Sequence, residues 1–221
     1  MSRRIYFVLA AVSGILGTVA LSIYFSAPFW FLPLPPANAT VGQVASFGKS
    51  YHGLILFDAW LQQIGTLLSV VFAMALVHLA KRSNSFSGKL VLVSSTVILV
   101  LSLSEGTFIL GAVQAGLNGH YESSLTCVDL AGVFIHIFLL APSLFLVLGY
   151  ALLKSDILPI PFAKIAIVLG VLFQVLGMIG LFNNAALMIV IFVLLAQNIW
   201  TICASVSLLF NRRNDYDTSL L

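Results

Sequence analysis

Residues 53–89 read GLILFDAWLQQIGTLLSVVFAMALVHLAKRSNSFSGK, a long apolar run followed by a short segment that carries three cations. The run at 53–80 is longer than the about 20 residues that a helix needs to cross the hydrocarbon core of a membrane. A segment that crosses this core must be helical, because hydrocarbon offers no hydrogen-bond partners to the backbone. A second apolar run, 90–116, begins directly after Lys89. This stretch therefore predicts two membrane-spanning helices joined by a tight turn.

The same pattern extends over the whole chain. Hydrophobic residues make up 61% and charged residues 8% of its 221 residues, and the mean hydropathy is +1.11. Soluble domains contain roughly 25% charged residues, so this composition excludes a water-soluble fold. We predict an all-α polytopic membrane protein in which residues 1–221 form a single transmembrane domain with six helices in one bundle. The helices are expected at about residues 5–27, 53–80, 90–116, 128–153, 161–182 and 185–209, with an outer loop at 28–52.

The cations are confined almost entirely to alternate connections between these helices. Cytoplasmic loops keep an excess of Lys and Arg, and this excess sets the orientation of the helices. Only Lys49 falls on the other side. We therefore predict that the N and C termini are both cytoplasmic. The nine cations that follow the rule are Arg3, Arg4, Lys81, Arg82, Lys89, Lys154, Lys164, Arg212 and Arg213.

The outer loop at 28–52 is rich in proline and aromatic residues in its first part. Pro33, Pro35 and Pro36 lack a backbone donor, which argues against regular helix there. Phe29 and Trp30 are residue types that favour the headgroup level of a membrane. We predict that this loop lies on the outer surface as a flap over the helices.

Polar side chains within the predicted spans are the main indication of function. An ionisable side chain in hydrocarbon costs at least a few kcal/mol, so those that persist usually face the protein interior. Asp58 and Gln62 are four residues apart and share one face of a helix. We predict a polar pocket in the outer half of the bundle, for a ligand or a proton. Its candidate residues are Asp58, Gln62, Glu105, Asp129, His136, Gln174, Gln197 and Asn198.

Glu105 and His136 are the strongest candidates, because both are expected more than two helical turns from water. If they pair directly, they form an ion pair or share one proton. The amide side chains are equally compatible with hydrogen bonds that only join helices. A terminal carboxylate such as Asp129 is compatible with a role at a helix N-terminus.

These residues leave three functions open. The first is binding or transport of a small amphiphilic ligand or a proton. The second is a metal-dependent membrane enzyme that acts on a lipidic substrate, because carboxylate and imidazole ligands suit zinc, iron or manganese. The third is an accessory subunit of a larger membrane complex, in which the polar residues are only packing.

Several chemistries are excluded by missing motifs. No lysine lies deep enough in a predicted span to attach retinal, because Lys164 is at the cytoplasmic end of its span, and the CxxC, HExxH, GxSxG and phosphate-loop motifs are absent. The sequence specifies no cofactor. The expected partners are the lipid bilayer, a small amphiphile or lipid, and other membrane proteins. Nucleic acid is not expected, because the cations lie next to membrane ends.

The segments FDAWLQ at 57–62 and LVHLA at 76–80 resemble the second helix of small uncharacterised multi-pass membrane proteins from bacteria. Later features of the chain extend the resemblance, namely GAVQA at 111–115, His136 and Gln197. The resemblance implies a location in the bacterial inner membrane. It implies no activity and no site residues.

Overall fold

A computed structural model describes residues 3–33, 40–140 and 143–217, and all regular structure in these residues is α-helical. The side chains of residues 3, 135, 136, 138–140, 184, 185, 187, 188 and 211–217 are not described. Seven helices occur within the described ranges. They are α1 (Arg3–Trp30), α2 (Val41–Leu79), α3 (Phe86–Leu117), α4 (Tyr121–Leu140), α5 (Leu144–Leu152), α6 (Ile160–Gly180) and α7 (Asn184–Asp217).

Five of the helices in the described residues are long and apolar enough to cross a membrane, namely α1, α2, α3, α6 and α7. The all-helical membrane protein predicted from composition is confirmed at this level.

Helix α1 shows how the side chains divide between lipid and protein. Its large aliphatic side chains recur every three or four residues on one face, where they are exposed: Ile5, Leu9, Val12, Leu16, Val19 and Ile23. The buried face carries small residues, so that neighbouring backbones come close. A Cβ placed on Gly17 would lie 3.1 Å from the carbonyl oxygen of Gly65 in α2. Small residues inside and large residues outside are typical of a helix that packs within a membrane.

Six of the helices follow one another around a central space. Helices α1, α2, α3, α5 and α6 each contact the next one named, and α7 contacts both α6 and α1. Two hydrogen bonds fix α7 in this order. Asn198 Nδ2 donates to Ser22 Oγ of α1 at 3.2 Å, and Trp200 Nε1 donates to the Phe162 carbonyl of α6 at 2.9 Å.

Helix α4 lies beside α3, to which it is joined by polar and aromatic contacts. Ser124 Oγ donates to the Ala112 carbonyl at 2.7 Å. One helical turn and more away, the rings of Phe108 and Phe134 are 5.4 Å apart. Helix α4 is therefore anchored on α3.

The two ends of the molecule differ in packing. We call the end with the connections at 80–85 and 153–159 the basic end, because Lys81, Arg82 and Lys154 lie there, and we call the other the opposite end. The main apolar core occupies the half next to the basic end. Its large members are Phe7, Phe72, Leu76, Leu79, Leu148, Leu152, Ile157, Leu158, Trp200 and Leu208.

Helix α2 begins at Val41, so the second half of the predicted outer loop at 28–52 is helical, and that boundary was wrong. A capping box starts the helix. The Gln43 backbone N–H donates to Thr40 Oγ1 at 3.4 Å, and the Thr40 N–H donates to Gln43 Oε1 at 2.8 Å. Hydropathy marks only the apolar part of a helix, and α2 extends beyond it. The prolines at 35 and 36 lie outside the described residues.

The predicted fourth helix at 128–153 corresponds to two helices, α4 and α5. Ser143 caps α5, because its Oγ accepts the Leu146 N–H at 3.4 Å. The Ser143 N–H donates to Gln174 Oε1 of α6 at 3.2 Å instead of to a carbonyl of its own helix. A single continuous helix was therefore wrong for this segment, and Ala141 and Pro142 lie outside the described residues. The other predicted helices correspond to α1, α3, α6 and α7.

Helices α5 and α6 touch at backbone distance. A Cβ on Gly170 would lie 2.3 Å from the Leu146 backbone nitrogen, and one on Gly149 would lie 2.8 Å from the Ala163 carbonyl oxygen. Only glycine fits these two positions without a shift of the helices. Helix α5 is therefore anchored on α6.

We predict that Gly170→Ala lowers the stability of the protein by about 1–3 kcal/mol, because the added methyl group overlaps the backbone of α5. Gly53→Ala is the matched control, since nothing lies within 4 Å of its Cβ. That control is expected to be neutral or slightly stabilising, because alanine favours helix. Unfolding in detergent, followed by circular dichroism, measures both, and equal midpoints would contradict the close contact.

Candidate functional site

A cavity of about 590 Å³ lies in the space enclosed by α1, α2, α3, α5, α6 and α7. It reaches from Pro33, after the end of α1, to Phe72 and Leu148 in the middle of the molecule. Sites for small molecules commonly have volumes of about 300–1,000 Å³. The volume of this cavity falls within that range. Its lining residues place it towards the opposite end of the molecule, and it stops where the apolar core begins.

Most of the cavity wall is apolar. Leucine, isoleucine and valine side chains come from α1, α2, α3, α5 and α7. Five phenylalanines add aromatic surface, namely Phe25, Phe47, Phe72, Phe145 and Phe173. Such a wall favours a hydrocarbon chain or ring over water.

One polar wall is formed where α2 faces α3. Gln62 Nε2 donates a hydrogen bond to Glu105 Oε2. Both side chains line the cavity and are almost fully buried, with 8% and 7% of their surface exposed. The next turn repeats the arrangement, because Ser102 Oγ donates to Thr66 Oγ1 at 3.3 Å. Gln62 and Thr66 are four residues apart on α2, so they share one face of that helix. Ser102 and Glu105 are three residues apart and share one face of α3.

This wall has more acceptors than donors. Gln62 Oε1 and Asp58 Oδ1 are both buried, and neither has a hydrogen-bond partner among the described residues. A buried polar atom without a partner costs about 1–3 kcal/mol. The α2 face therefore presents two buried acceptor oxygens. None of the described donors offsets the free-energy cost of burying them.

Polar residues of α7 form the other side of the cavity, and their described hydrogen bonds go to α6, to α1 or to α7 itself. Gln197 Nε2 donates to the Leu169 carbonyl at 3.5 Å, and Thr201 Oγ1 donates to the Gln197 carbonyl at 2.9 Å. Asn198 holds Ser22 of α1, as described above. These contacts support helix packing more directly than ligand binding.

The structure places the predicted site residues in different surroundings. Five of them line the cavity: Asp58, Gln62, Glu105, Gln197 and Asn198. Gln174 accepts the Ser143 N–H and so supports the start of α5. Asp129 is exposed on α4. The side chain of His136 lies outside the described residues, so its pairing with Glu105 stays a prediction.

Several hydroxyl groups that line the cavity were not predicted from the sequence. Tyr24 of α1 lines it, within electrostatic reach of Glu105 and Asp58. Thr66 lies one turn below Gln62, and this spacing was a signal that could have identified it. Tyr24 gave no such signal, because it occurs alone in the apolar first span.

Among the described side chains, His, Cys, Asp and Glu do not gather in groups of three that could hold a metal ion. No protein-family model, curated protein or solved structure matches the chain.

We predict that Gln62→Leu lowers stability by about 1–3 kcal/mol, because Glu105 then loses its only described donor while it stays buried. The double variant Gln62→Leu with Glu105→Leu is expected to be more stable than the sum of the two single effects, since it removes both polar partners. Exposed Gln114→Leu on α3 is the control for a Gln-to-Leu change. Strictly additive unfolding free energies in detergent would contradict a coupled pair.

Proposed function

We propose that this membrane protein binds a small amphiphilic molecule in the cavity, with the polar part of the ligand at the wall formed by Asp58, Gln62 and Glu105. The observation that supports the proposal is one enclosed volume that combines a largely apolar wall with this polar cluster. An amphiphile satisfies both kinds of surface at once.

The source of binding energy depends on where the ligand comes from. A ligand that enters from water gains about 0.8 kcal/mol for each CH₂ group that it buries. A ligand that enters from the bilayer gains almost nothing in this way, since lipid tails are as apolar as the cavity wall. Contacts at the polar wall then decide which amphiphile binds.

Binding is favoured over transport by the packing of the two ends. A transport route has to continue from the cavity to the basic end. In this structure the path is filled by Leu76 and Leu148, which are 0% and 1% exposed, and by the rest of the apolar core. A cavity that ends against a packed core fits a binding site better than a passage through the protein.

We further propose the topology that the cation pattern indicates. The chain then crosses the bacterial inner membrane six times, with α4 and α5 together forming the fourth crossing and both termini in the cytoplasm. The basic end then faces the cytoplasm, and the cavity lies in the outer half of the membrane.

The topology can be tested by cysteine labelling. In a background of Cys127→Ser and Cys203→Ser, we expect an impermeant maleimide to label Asn118→Cys in intact cells and to label Ser83→Cys only after lysis. Both positions are exposed, on the opposite end and the basic end respectively. Labelling of Ser83→Cys in intact cells would overturn the orientation.

Ligand binding can be tested with a photoactivatable decanol probe in lipid nanodiscs. We expect the probe to cross-link to peptides of α2 that line the cavity. Leu194→Trp fills part of the cavity and is expected to reduce this labelling, whereas Leu195→Trp is the matched control, because Leu195 is 38% exposed and does not line the cavity.

Labelling that falls only on exposed positions, such as Val168 and Val175 of α6, would contradict a binding cavity. Equal loss of cavity labelling in both tryptophan variants would do so as well.

A further inference from the structure

We infer that the polar part of the ligand is a protonated amine, so that the cavity selects amphiphiles with a cationic head group. This inference rests on the proposed binding function and adds the chemical class of the ligand.

The charges around the cavity are of one sign. Its lining contains two carboxylates, Asp58 and Glu105, and one phenol, Tyr24, but no lysine, arginine or histidine among the described residues. Carboxylates at this depth are costly unless a positive charge lies nearby. An anionic head group would add to this cost, whereas an ammonium group would offset it.

Hydrogen-bond needs point to the same chemistry. Gln62 is 8% exposed and lines the cavity, and its Oε1 has no hydrogen-bond partner among the described residues. Asp58 also lines the cavity, and its buried Oδ1 has no described partner either. These oxygens need donors. An ammonium group offers three donors and no acceptor, whereas sulfate and carboxylate groups offer only acceptors.

The aromatic residues add a third contribution. Phe25, Phe47, Phe72, Phe145 and Phe173 all line the cavity. The face of an aromatic ring attracts a cation through its quadrupole, and this attraction is strongest where water is excluded. A bare alkali-metal ion could use the same oxygens, but it would leave the large apolar volume unfilled.

One feature of the cavity favours the opposite charge. Ser143 and Leu144, at the start of α5, line the cavity, and a helix N-terminus carries a partial positive charge. This end is already occupied, because Ser143 Oγ accepts the Leu146 N–H and the Ser143 N–H donates to Gln174. The negative charge of two carboxylates exceeds the partial positive charge of a helix end that is already capped.

Three photoactivatable probes with the same decyl chain test the inference, with ammonium, hydroxyl and sulfate head groups. The full-length protein is studied in nanodiscs of zwitterionic lipid. Labelling of α2 cavity peptides is divided by labelling of the exposed face of α6 in the same sample, which corrects for different partitioning into the bilayer. We expect this ratio to be about tenfold higher for the ammonium probe than for the hydroxyl probe, and lowest for sulfate.

Two variants remove the charges without changing shape, Asp58→Asn and Glu105→Gln. We expect each to reduce the preference for ammonium while the hydroxyl probe still labels the cavity. Asp129→Asn is the matched control, because Asp129 is exposed on α4. We expect this variant to prefer the ammonium probe as strongly as the wild type does.

The outcomes separate the two proposals. Equal cavity labelling by all three probes, or preference for sulfate, would overturn the amine inference and leave the binding function intact. Absence of cavity labelling with every probe would overturn the binding function itself. An unchanged ammonium preference in both Asp58→Asn and Glu105→Gln would show that these carboxylates do not determine the selectivity, which also contradicts the inference.

Discussion

Hydrocarbon supplies neither donors nor acceptors, so each polar side chain in the middle of this protein depends on another part of the chain for its partner. Most of the contacts that order the helices follow from this constraint. Asn198 joins α7 to α1, Trp200 joins α7 to α6, and Gln174 joins α6 to the start of α5. The Gln62–Glu105 pair joins α2 to α3 in the same way.

The same constraint distinguishes the cavity from the rest of the protein interior. Near the basic end, apolar side chains fill most of the space between the helices, and the buried polar groups there are small serine hydroxyls such as those of Ser94, Ser95 and Ser205. Towards the opposite end, the helices surround a cavity next to acceptor oxygens of Asp58 and Gln62, which have no partner among the described residues. Evolution usually fills such space or pairs such groups, because both cost stability. The ligand that we propose would occupy this cavity and supply donors to these oxygens.

Hydropathy was sufficient to predict an all-helical membrane protein, because an apolar run of membrane length has few alternatives. It failed at the start of α2, where the helix continues into a less apolar segment. The capping box at Thr40 and Gln43 was readable in the sequence, but the nearby prolines favoured a loop. The interruption before α5 had a local signal that was overlooked, because Pro142 disfavours a continuous helix and Ser143 is a favourable N-cap. The accompanying hydrogen bond from Ser143 to Gln174 joins two helices and leaves no local pattern.

The site was predictable only in part, for a similar reason. The spacing of Asp58 and Gln62 on one helix face follows from periodicity alone. That Gln62 meets Glu105 depends on the register between α2 and α3, which small residues such as Gly106 set by letting the Gln63 side chain lie against the backbone. Tyr24 lines the cavity because α1 lies between α2 and α7. A single sequence does not reveal which helices are adjacent.

The divided fourth segment has a mechanical consequence. Helix α4 is held by α3 through Ser124, whereas α5 is locked to α6 through Gly149 and Gly170. Two successive pieces of chain thus have their closest contacts with different helices, and Ser143, at the start of the second piece, also lines the cavity. A ligand in the cavity would therefore meet the wall at the residue where the fourth segment changes the helix that it packs against.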